Sequence, residues 1–177
     1  MPPRVVFLIG YMASGKTTLG RAVSEASGVR FVDLDEYIEQ QAGMTVSDIF
    51  ATRGEAAFRD LETSALRALA ASPEALVVAC GGGTPCFGTN MELMNSLGLT
   101  VYLDASEDVI FSRLTAERSR RPLVAHLCGN DLRSFISTSL AERMPFYSKA
   151  ASSFSTDCLD DPALIPAAAR DFIDRYL

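Results

Sequence analysis

The stretch Gly10-Tyr11-Met12-Ala13-Ser14-Gly15-Lys16-Thr17 decides how this chain of 177 residues folds, because it matches the phosphate-binding loop pattern G-x-x-x-x-G-K-[ST]. The apolar run Val5-Val6-Phe7-Leu8-Ile9 precedes it and predicts a buried strand. After it, Leu19, Val23 and their apolar neighbours recur at helical spacing. Strand, glycine loop and helix in this order predict a site for a nucleotide.

The residue types in this loop suit the binding of a triphosphate. Glycines let the backbone curl so that its N–H groups converge on phosphate oxygens, and the helix that follows directs its positive dipole end to the same place. Lys16 would reach the β- and γ-phosphates, and the hydroxyl of Thr17 would bind Mg²⁺. We therefore predict that ATP and Mg²⁺ bind here. The predicted nucleotide-binding residues of the loop are Gly10, Ala13, Ser14, Gly15, Lys16, Thr17 and Thr18.

Composition restricts the class of protein. The length predicts one domain, residues 1–177, which is large enough to bury a proper core. With 16 basic and 22 acidic residues the net charge is −6, which argues against a nucleic-acid partner. The longest apolar runs are only of strand length, so we expect no membrane span. We expect a monomer that acts on a small molecule.

The four cysteines bear on the compartment. Cys80, Cys86, Cys128 and Cys158 form no C-x-x-C pair, as is usual for reduced thiols in a cytosol, and residues 1–4 leave no room for a signal peptide before the first strand. We therefore expect a cytoplasmic protein. His126 and Cys128 form an H-x-C pair, but two candidate ligands fall short of a four-ligand zinc site.

Strands alternate with helices along the chain. Mostly apolar runs at 5–9, 29–32, 76–80 and 99–103, together with the segment 152–156, predict a five-stranded parallel sheet in a three-layer α/β/α fold. In such sheets ligands bind at the carboxyl ends of the strands. The helical segment between the second and third strands is longer than a crossover needs. It predicts an inserted acceptor-binding segment at about residues 33–62.

Charged residues follow these strand ends. Asp33 and Asp35 end the second strand; on extended backbone we expect their side chains to diverge, with Asp33 near Mg²⁺ and Asp35 at the acceptor hydroxyl. The dense basic run Arg118-Ser119-Arg120-Arg121-Pro122 predicts a lid, at about residues 118–130, that brings arginines over the triphosphate. Together these parts predict phosphoryl transfer from ATP to a small acceptor, with a carboxylate to accept the hydroxyl proton.

With these motifs in order, the sequence resembles the shikimate kinase family over residues 5 to about 150. The glycine loop alone is common to thousands of proteins, whereas G-E-x-x-F-R-x-x-E together with D-x-D and a triple glycine is much more specific. The matching elements are residues 10–17, Asp33-x-Asp35, the string from Gly54 to Glu62, Gly81-Gly82-Gly83, Arg121-Pro122-Leu123, and Arg143 with Tyr147.

The resemblance implies a P-loop kinase fold and a reaction, the phosphorylation of the 3-hydroxyl of shikimate by MgATP on the route to aromatic amino acids. It also implies roles for single residues: Asp35 as the base, Lys16 and Arg121 at the transferring phosphate, and Arg113 against the adenine. Arg59 and Arg143 would hold the shikimate carboxylate, with backbone N–H groups donated by Gly81, Gly82 and Gly83. Phe50 and Phe58 would wall the acceptor pocket, although on the residues alone they fit a plain core equally well. Ala13 departs from the pattern, because many relatives have glycine there.

Two other functions remain possible on the residues alone. Arginines far apart in sequence could hold a phosphate as well as a carboxylate, which leaves open a kinase for gluconate or for a nucleoside monophosphate. A non-catalytic nucleotide-binding module is the other, although it would be expected to lack the base Asp35 or the lid arginine Arg121.

Overall fold

The predicted five-stranded parallel sheet is confirmed in the structure, a computed structural model that describes residues 4–117 and 123–177. Its order is β2-β3-β1-β4-β5, so the first strand is central and pairs with the third and the fourth. The strands are β1 (Val5–Ile9), β2 (Arg30–Asp33), β3 (Leu76–Ala79), β4 (Leu99–Asp104) and β5 (Ser152–Ser155).

Seven α-helices are present among the described residues. They are α1 (Lys16–Ser27), α2 (Leu34–Ala42), α3 (Val46–Ala70), α4 (Asn90–Leu97), α5 (Glu107–Glu117), α6 (Gly129–Tyr147) and α7 (Ile165–Tyr176). None of them is both long and apolar enough to cross a membrane.

Two hydrophobic cores lie on opposite faces of the sheet. All five residues of β1 are buried, and because strand side chains alternate between faces, Phe7 enters one core and Leu8 the other. The core around Phe7 also contains apolar residues of α3, α4 and α6, and the core around Leu8 contains residues of α1 and α7. The central strand is therefore fixed from both sides, and so is the loop that follows it.

The second strand ends differently from the expectation. Asp33 has extended backbone, but α2 begins at Leu34, so Asp35 lies in the first helical turn rather than on extended backbone. The side chain of Asp33 caps this helix by accepting hydrogen bonds from the backbone N–H groups of Asp35 and Glu36. The extended backbone on which the divergence of the two side chains was expected is therefore present at Asp33 but not at Asp35. Their side chains have different surroundings because a helix starts between them.

The predicted insertion corresponds to α2 and the first half of α3. The latter is interrupted at Gly54, whose φ of 79° and ψ of 172° are not helical. Only glycine adopts such a conformation readily, and this break redirects the second half of the helix. The domain boundaries and the lid stay predictions: residues 118–122 lie outside the described residues, 123–126 form turns, and Gly129 already begins α6.

The strand order brings the loop after β1 and the glycine turn after β3 together. The chain leaves β3 on one side of β1 and returns as β4 on the other side, so the order reverses at the carboxyl end of β1. Open α/β sheets bind ligands at such a point. The loop 10–15 after β1 and the glycines 81–83 after β3 meet there.

Candidate active site

A cavity of about 790 Å³ opens at the carboxyl end of the sheet. It joins residues from eight separate parts of the chain, many of which the sequence assigned to ATP or to the acceptor. The lining residues are 12–18, Asp33, Asp35, Arg59, 79–83, Arg113, Glu117, Leu123, Arg143, Leu159 and Asp160.

The phosphate loop forms one wall of the cavity. Gly15 has a φ of 93°, and Ala13 a φ of 61°, which is the left-handed region that side chains other than glycine rarely adopt. Lys16 lies against the loop, where its Nζ donates to the carbonyl oxygens of Gly10 at 2.8 Å and Tyr11 at 2.7 Å. The loop is held from outside by Thr156, whose hydroxyl donates to the carbonyl oxygen of Ser14 at 2.7 Å.

Arg113 connects the phosphate loop to the segment after β5. Its guanidinium donates to the carbonyl oxygens of Ala13 at 3.0 Å and Thr156 at 2.8 Å, and Nε pairs with Asp160 at 2.5 Å. These bonds all lie in the plane of the guanidinium and fix its orientation. Because the group also lines the cavity, its flat face is suited to stack on an aromatic base.

A hydroxyl and a carboxylate meet below the phosphate loop. Thr17 Oγ1, in the first turn of α1, donates to Oδ2 of Asp33, at the end of β2, at 3.4 Å. Oxygen donors of this kind suit a hard divalent cation that keeps several water ligands. Among the described residues no three or more His, Cys, Asp or Glu side chains are placed so that they could hold a metal ion together. The protein would therefore supply only part of the coordination of such a cation.

Asp35 is the electrostatically unusual group of the site. Its Oδ1 is buried and has no hydrogen-bond partner among the described residues. Burial raises the pKa of Asp35 to about 6; the carboxylates of Asp33 and Glu62 add to this rise, and the ammonium of Lys16 opposes it. A carboxylate whose pKa is close to neutral pH, and whose oxygen has no hydrogen-bond partner, is suited to accept a proton from a bound hydroxyl.

The triple glycine lies between two arginines. A Cβ at Gly83 would be 2.8 Å from Arg59 Nη2, and a Cβ at Gly82 would be 3.0 Å from Arg143 Nη1, so a side chain at either position would displace the neighbouring guanidinium. No acceptor among the described residues takes the backbone N–H of Gly82 or Gly83. The turn therefore presents two free donors beside two guanidinium groups, which suits an anionic, hydroxylated ligand.

The two arginines differ in how their charge is balanced. Arg59 Nη1 pairs with Glu62 at 2.8 Å and Nη2 with Glu55 at 3.1 Å. The carboxylate of Glu62 is almost entirely buried and also accepts a hydrogen bond from the hydroxyl of Thr84. Arg143 forms no ion pair with the described residues. An anionic ligand would thus meet its least neutralised positive charge at Arg143.

The structure brings most of the predicted site residues to this cavity. Of these, only Arg121 lies outside the described residues, and Gly10 adjoins the cavity through its carbonyl oxygen, 3.4 Å from a Cβ built on Gly82. Phe50 and Phe58 do not line the cavity, and their rings pack together at 4.8 Å between centroids. Their place in the acceptor pocket stays a prediction.

Residue-type reasoning missed three supporting groups, Glu62, Thr84 and Tyr147. The hydroxyl of Tyr147 donates to the carbonyl oxygen of Gly82 at 2.7 Å. Glu62 and Tyr147 stand in the matched motifs but had no role assigned. The signal for Glu62 was its spacing of three residues from Arg59, which places both on one helix face. Thr84 carried no signal.

Comparison with known proteins identifies the family. The model of the shikimate kinase family matches residues 12–174. The chain belongs to the shikimate kinase family. It is 47% identical to the shikimate kinase of Phocaeicola vulgatus over 163 residues, which cover 92% of this chain and 93% of that one.

Solved shikimate kinases have the same fold. The 1.7 Å crystal structure of the enzyme from Bacteroides thetaiotaomicron superimposes with a TM-score of 0.90 at 42% identity and covers 96% of both chains. The shikimate kinase of Acinetobacter baumannii, solved in complex with shikimate, gives a TM-score of 0.79 at 31% identity, covering 98% of this chain and 91% of that one. Both similarities extend over nearly the whole chain, including the predicted insertion.

Proposed function

We propose that this protein transfers the γ-phosphoryl group of ATP to the 3-hydroxyl of shikimate, producing shikimate 3-phosphate and ADP for the synthesis of aromatic amino acids. The observation that carries the assignment is the unpartnered Oδ1 of Asp35 beside the glycine turn that Arg59 and Arg143 flank. Family membership and the shikimate complex of the Acinetobacter baumannii relative support the same acceptor.

Each wall of the cavity would bind one substrate. The N–H groups of residues 12–18 and the ammonium of Lys16 would hold the phosphates of ATP, with the adenine against the flat face of Arg113. Arg59 and Arg143 would hold the carboxylate of shikimate through charge-assisted hydrogen bonds. Gly82 and Gly83 would donate their N–H groups. Arg121 would contact the transferring phosphate from the lid.

Asp35 would act as the base. A pKa of about 6 leaves it mostly ionised at neutral pH and makes it a better proton acceptor than an ordinary aspartate. It would accept the proton of the 3-hydroxyl as that oxygen bonds to the γ-phosphorus and ADP leaves. The rest of the catalysis is positioning and neutralisation of phosphate charge by Lys16 and the loop.

Thr17 and Asp33 fit a magnesium ion that accompanies ATP, because both offer oxygen and lie 3.4 Å apart. When bound, the ion would neutralise phosphate charge. We further infer that the protein works as a monomer in the cytoplasm. A single cavity that contains residues for both substrates needs no second subunit.

The test is ADP release from MgATP, with shikimate, gluconate and a nucleoside monophosphate offered separately. We expect release with shikimate alone, and its loss when EDTA removes the metal. Arg143→Ala should raise the KM for shikimate at least tenfold with little effect on that for ATP, since a charge-assisted contact contributes about 1.5–3 kcal/mol. Arg175→Ala, at an exposed position on α7, is the matched control. Release with another acceptor, or with none, would refute the proposal.

A further inference from the structure

Tyr11 occupies the first variable position of the phosphate loop, yet its side chain points away from the cavity that the loop lines. It is 1% exposed, and it does not line the cavity. Its hydroxyl lies 2.5 Å from the hydroxyl of Ser139, a residue 128 positions later in the chain. A buried tyrosine normally needs such a partner for its O–H.

The direction of this hydrogen bond follows from the surroundings of Ser139. The serine hydroxyl donates to the carbonyl oxygen of Phe135 at 2.6 Å, one turn earlier in α6. Its only proton is thereby used, so Tyr11 is the donor and Ser139 the acceptor. The contact fixes the tyrosine ring relative to α6.

Arg143 lies on the same face of α6, four residues after Ser139. The centre of its guanidinium is 5.3 Å from the centroid of the Tyr11 ring, within the range of a cation–π contact. Tyr11 therefore contacts two successive turns of α6, one through its hydroxyl and one through its ring.

Arg143 depends on such contacts more than Arg59 does. Arg59 is oriented by two carboxylates, Glu55 and Glu62, whereas Arg143 has no ion pair among the residues described. Its guanidinium lies beside the Tyr11 ring and the backbone of Gly82, and it also interacts with the hydroxyl of Tyr147, four residues later in α6. A long, flexible side chain that is not oriented in advance loses more conformational entropy when it binds a ligand.

We propose that Tyr11 and Ser139 are positioning residues for Arg143, so that the backbone of the phosphate loop sets the place of the acceptor's carboxylate. This inference rests on the proposed function. The Tyr11–Ser139 hydrogen bond fixes the distance between the loop and α6, and the ring fixes the guanidinium. The phosphate loop and the guanidinium of Arg143 are thereby held at a fixed distance from each other.

The experiment compares Tyr11→Phe, Ser139→Ala and the double variant in steady-state kinetics. Tyr11→Phe keeps the ring and removes the hydrogen bond, and we expect the KM for shikimate to rise about three- to tenfold. Ser139→Ala should have the same effect, and the double variant should be no worse than either single one, because all three lose one interaction. The KM for ATP should change less than twofold.

A second substrate distinguishes misplacement of Arg143 from a general disturbance of the active site. The methyl ester of shikimate lacks the carboxylate charge that Arg143 would bind, so its KM should be nearly the same in the wild type and in Tyr11→Phe. Tyr176→Phe is the matched control, because it also removes a tyrosine–serine hydrogen bond, to Ser152 at 2.9 Å, but on α7. It should leave both KM values unchanged.

Each other outcome has a definite meaning. Equal increases in the KM for ATP and for shikimate, or equal losses with shikimate and its ester, would show that Tyr11 only shapes the phosphate loop and would overturn the proposal. Unchanged kinetics in Tyr11→Phe and Ser139→Ala would overturn it too. A wild-type protein that releases no ADP with shikimate would instead refute the proposed function.

Discussion

Asp35→Asn should make the protein more stable while nearly abolishing turnover. In the folded protein the pKa of Asp35 is raised from 3.8 to about 6, chiefly by burial. The folded state therefore binds a proton more tightly than the unfolded chain. The free energy of unfolding therefore decreases as the pH rises from about 4 to about 6. Above pH 6 the loss of stability that results from ionising buried Asp35 is fully present.

The size of this cost follows from the pKa difference. At about 1.4 kcal/mol per pH unit, ionised Asp35 reduces the free energy of unfolding at neutral pH by up to about 3 kcal/mol. Asparagine has no charge to desolvate, but its amide also lies where Oδ1 has no partner. We therefore expect a net gain of about 1–2 kcal/mol. Turnover should fall at least a hundredfold, the usual contribution of a general base.

The assay is urea unfolding of the wild type and of Asp35→Asn at pH 7.5 and pH 4.5. The gain should be smaller at pH 4.5 by up to about 2 kcal/mol, because wild-type Asp35 is then largely protonated in the folded protein. Asp174→Asn, at an exposed position on α7, is the control for removing a carboxylate from the surface. An equal gain at both pH values, or a net loss at pH 7.5, would show that Asp35 is not a buried charge.

The remaining predictions concern the base, the acceptor arginine and the loop. Because Asp35 must be ionised to accept a proton, kcat/KM for shikimate should rise with pH through an apparent pKa near 6; a flat profile from pH 5 to 8 would contradict this. Thr84→Val removes the hydroxyl that holds Glu62 and should raise the KM for shikimate about three- to tenfold, whereas Thr84→Ser should restore it. Ala13→Gly should raise the free energy of unfolding by about 0.5–1 kcal/mol, since a side chain with a φ of 61° is strained; urea titration would measure it, and a loss would refute the strain.

The sequence alone determined the fold class and the residues of the phosphate loop, 10–17, that would bind the nucleotide. The loop pattern from Gly10 to Thr17 is contiguous, so its residues are neighbours in any fold that forms it. The apolar strand before it places the loop at the carboxyl end of the sheet. The sheet could be predicted for a similar reason, because most of its strands coincide with short apolar runs. The pairing of Asp33 with the loop also followed, since both come after strand ends.

Only the tertiary structure decided how the side chains that would bind the acceptor are oriented. Arg59, Thr84 and Arg143 lie far apart in sequence, and local patterns carry no information on which buried side chain satisfies which other one. The start of α2 at Leu34 was missed because Asp33 serves both as a strand end and as a helix cap. The raised pKa of Asp35 could not be predicted either, because desolvation depends on everything that packs around a carboxylate. Chemistry encoded in adjacent residues is readable from the chain, whereas chemistry that depends on burial and on distant partners exists only once the chain is folded.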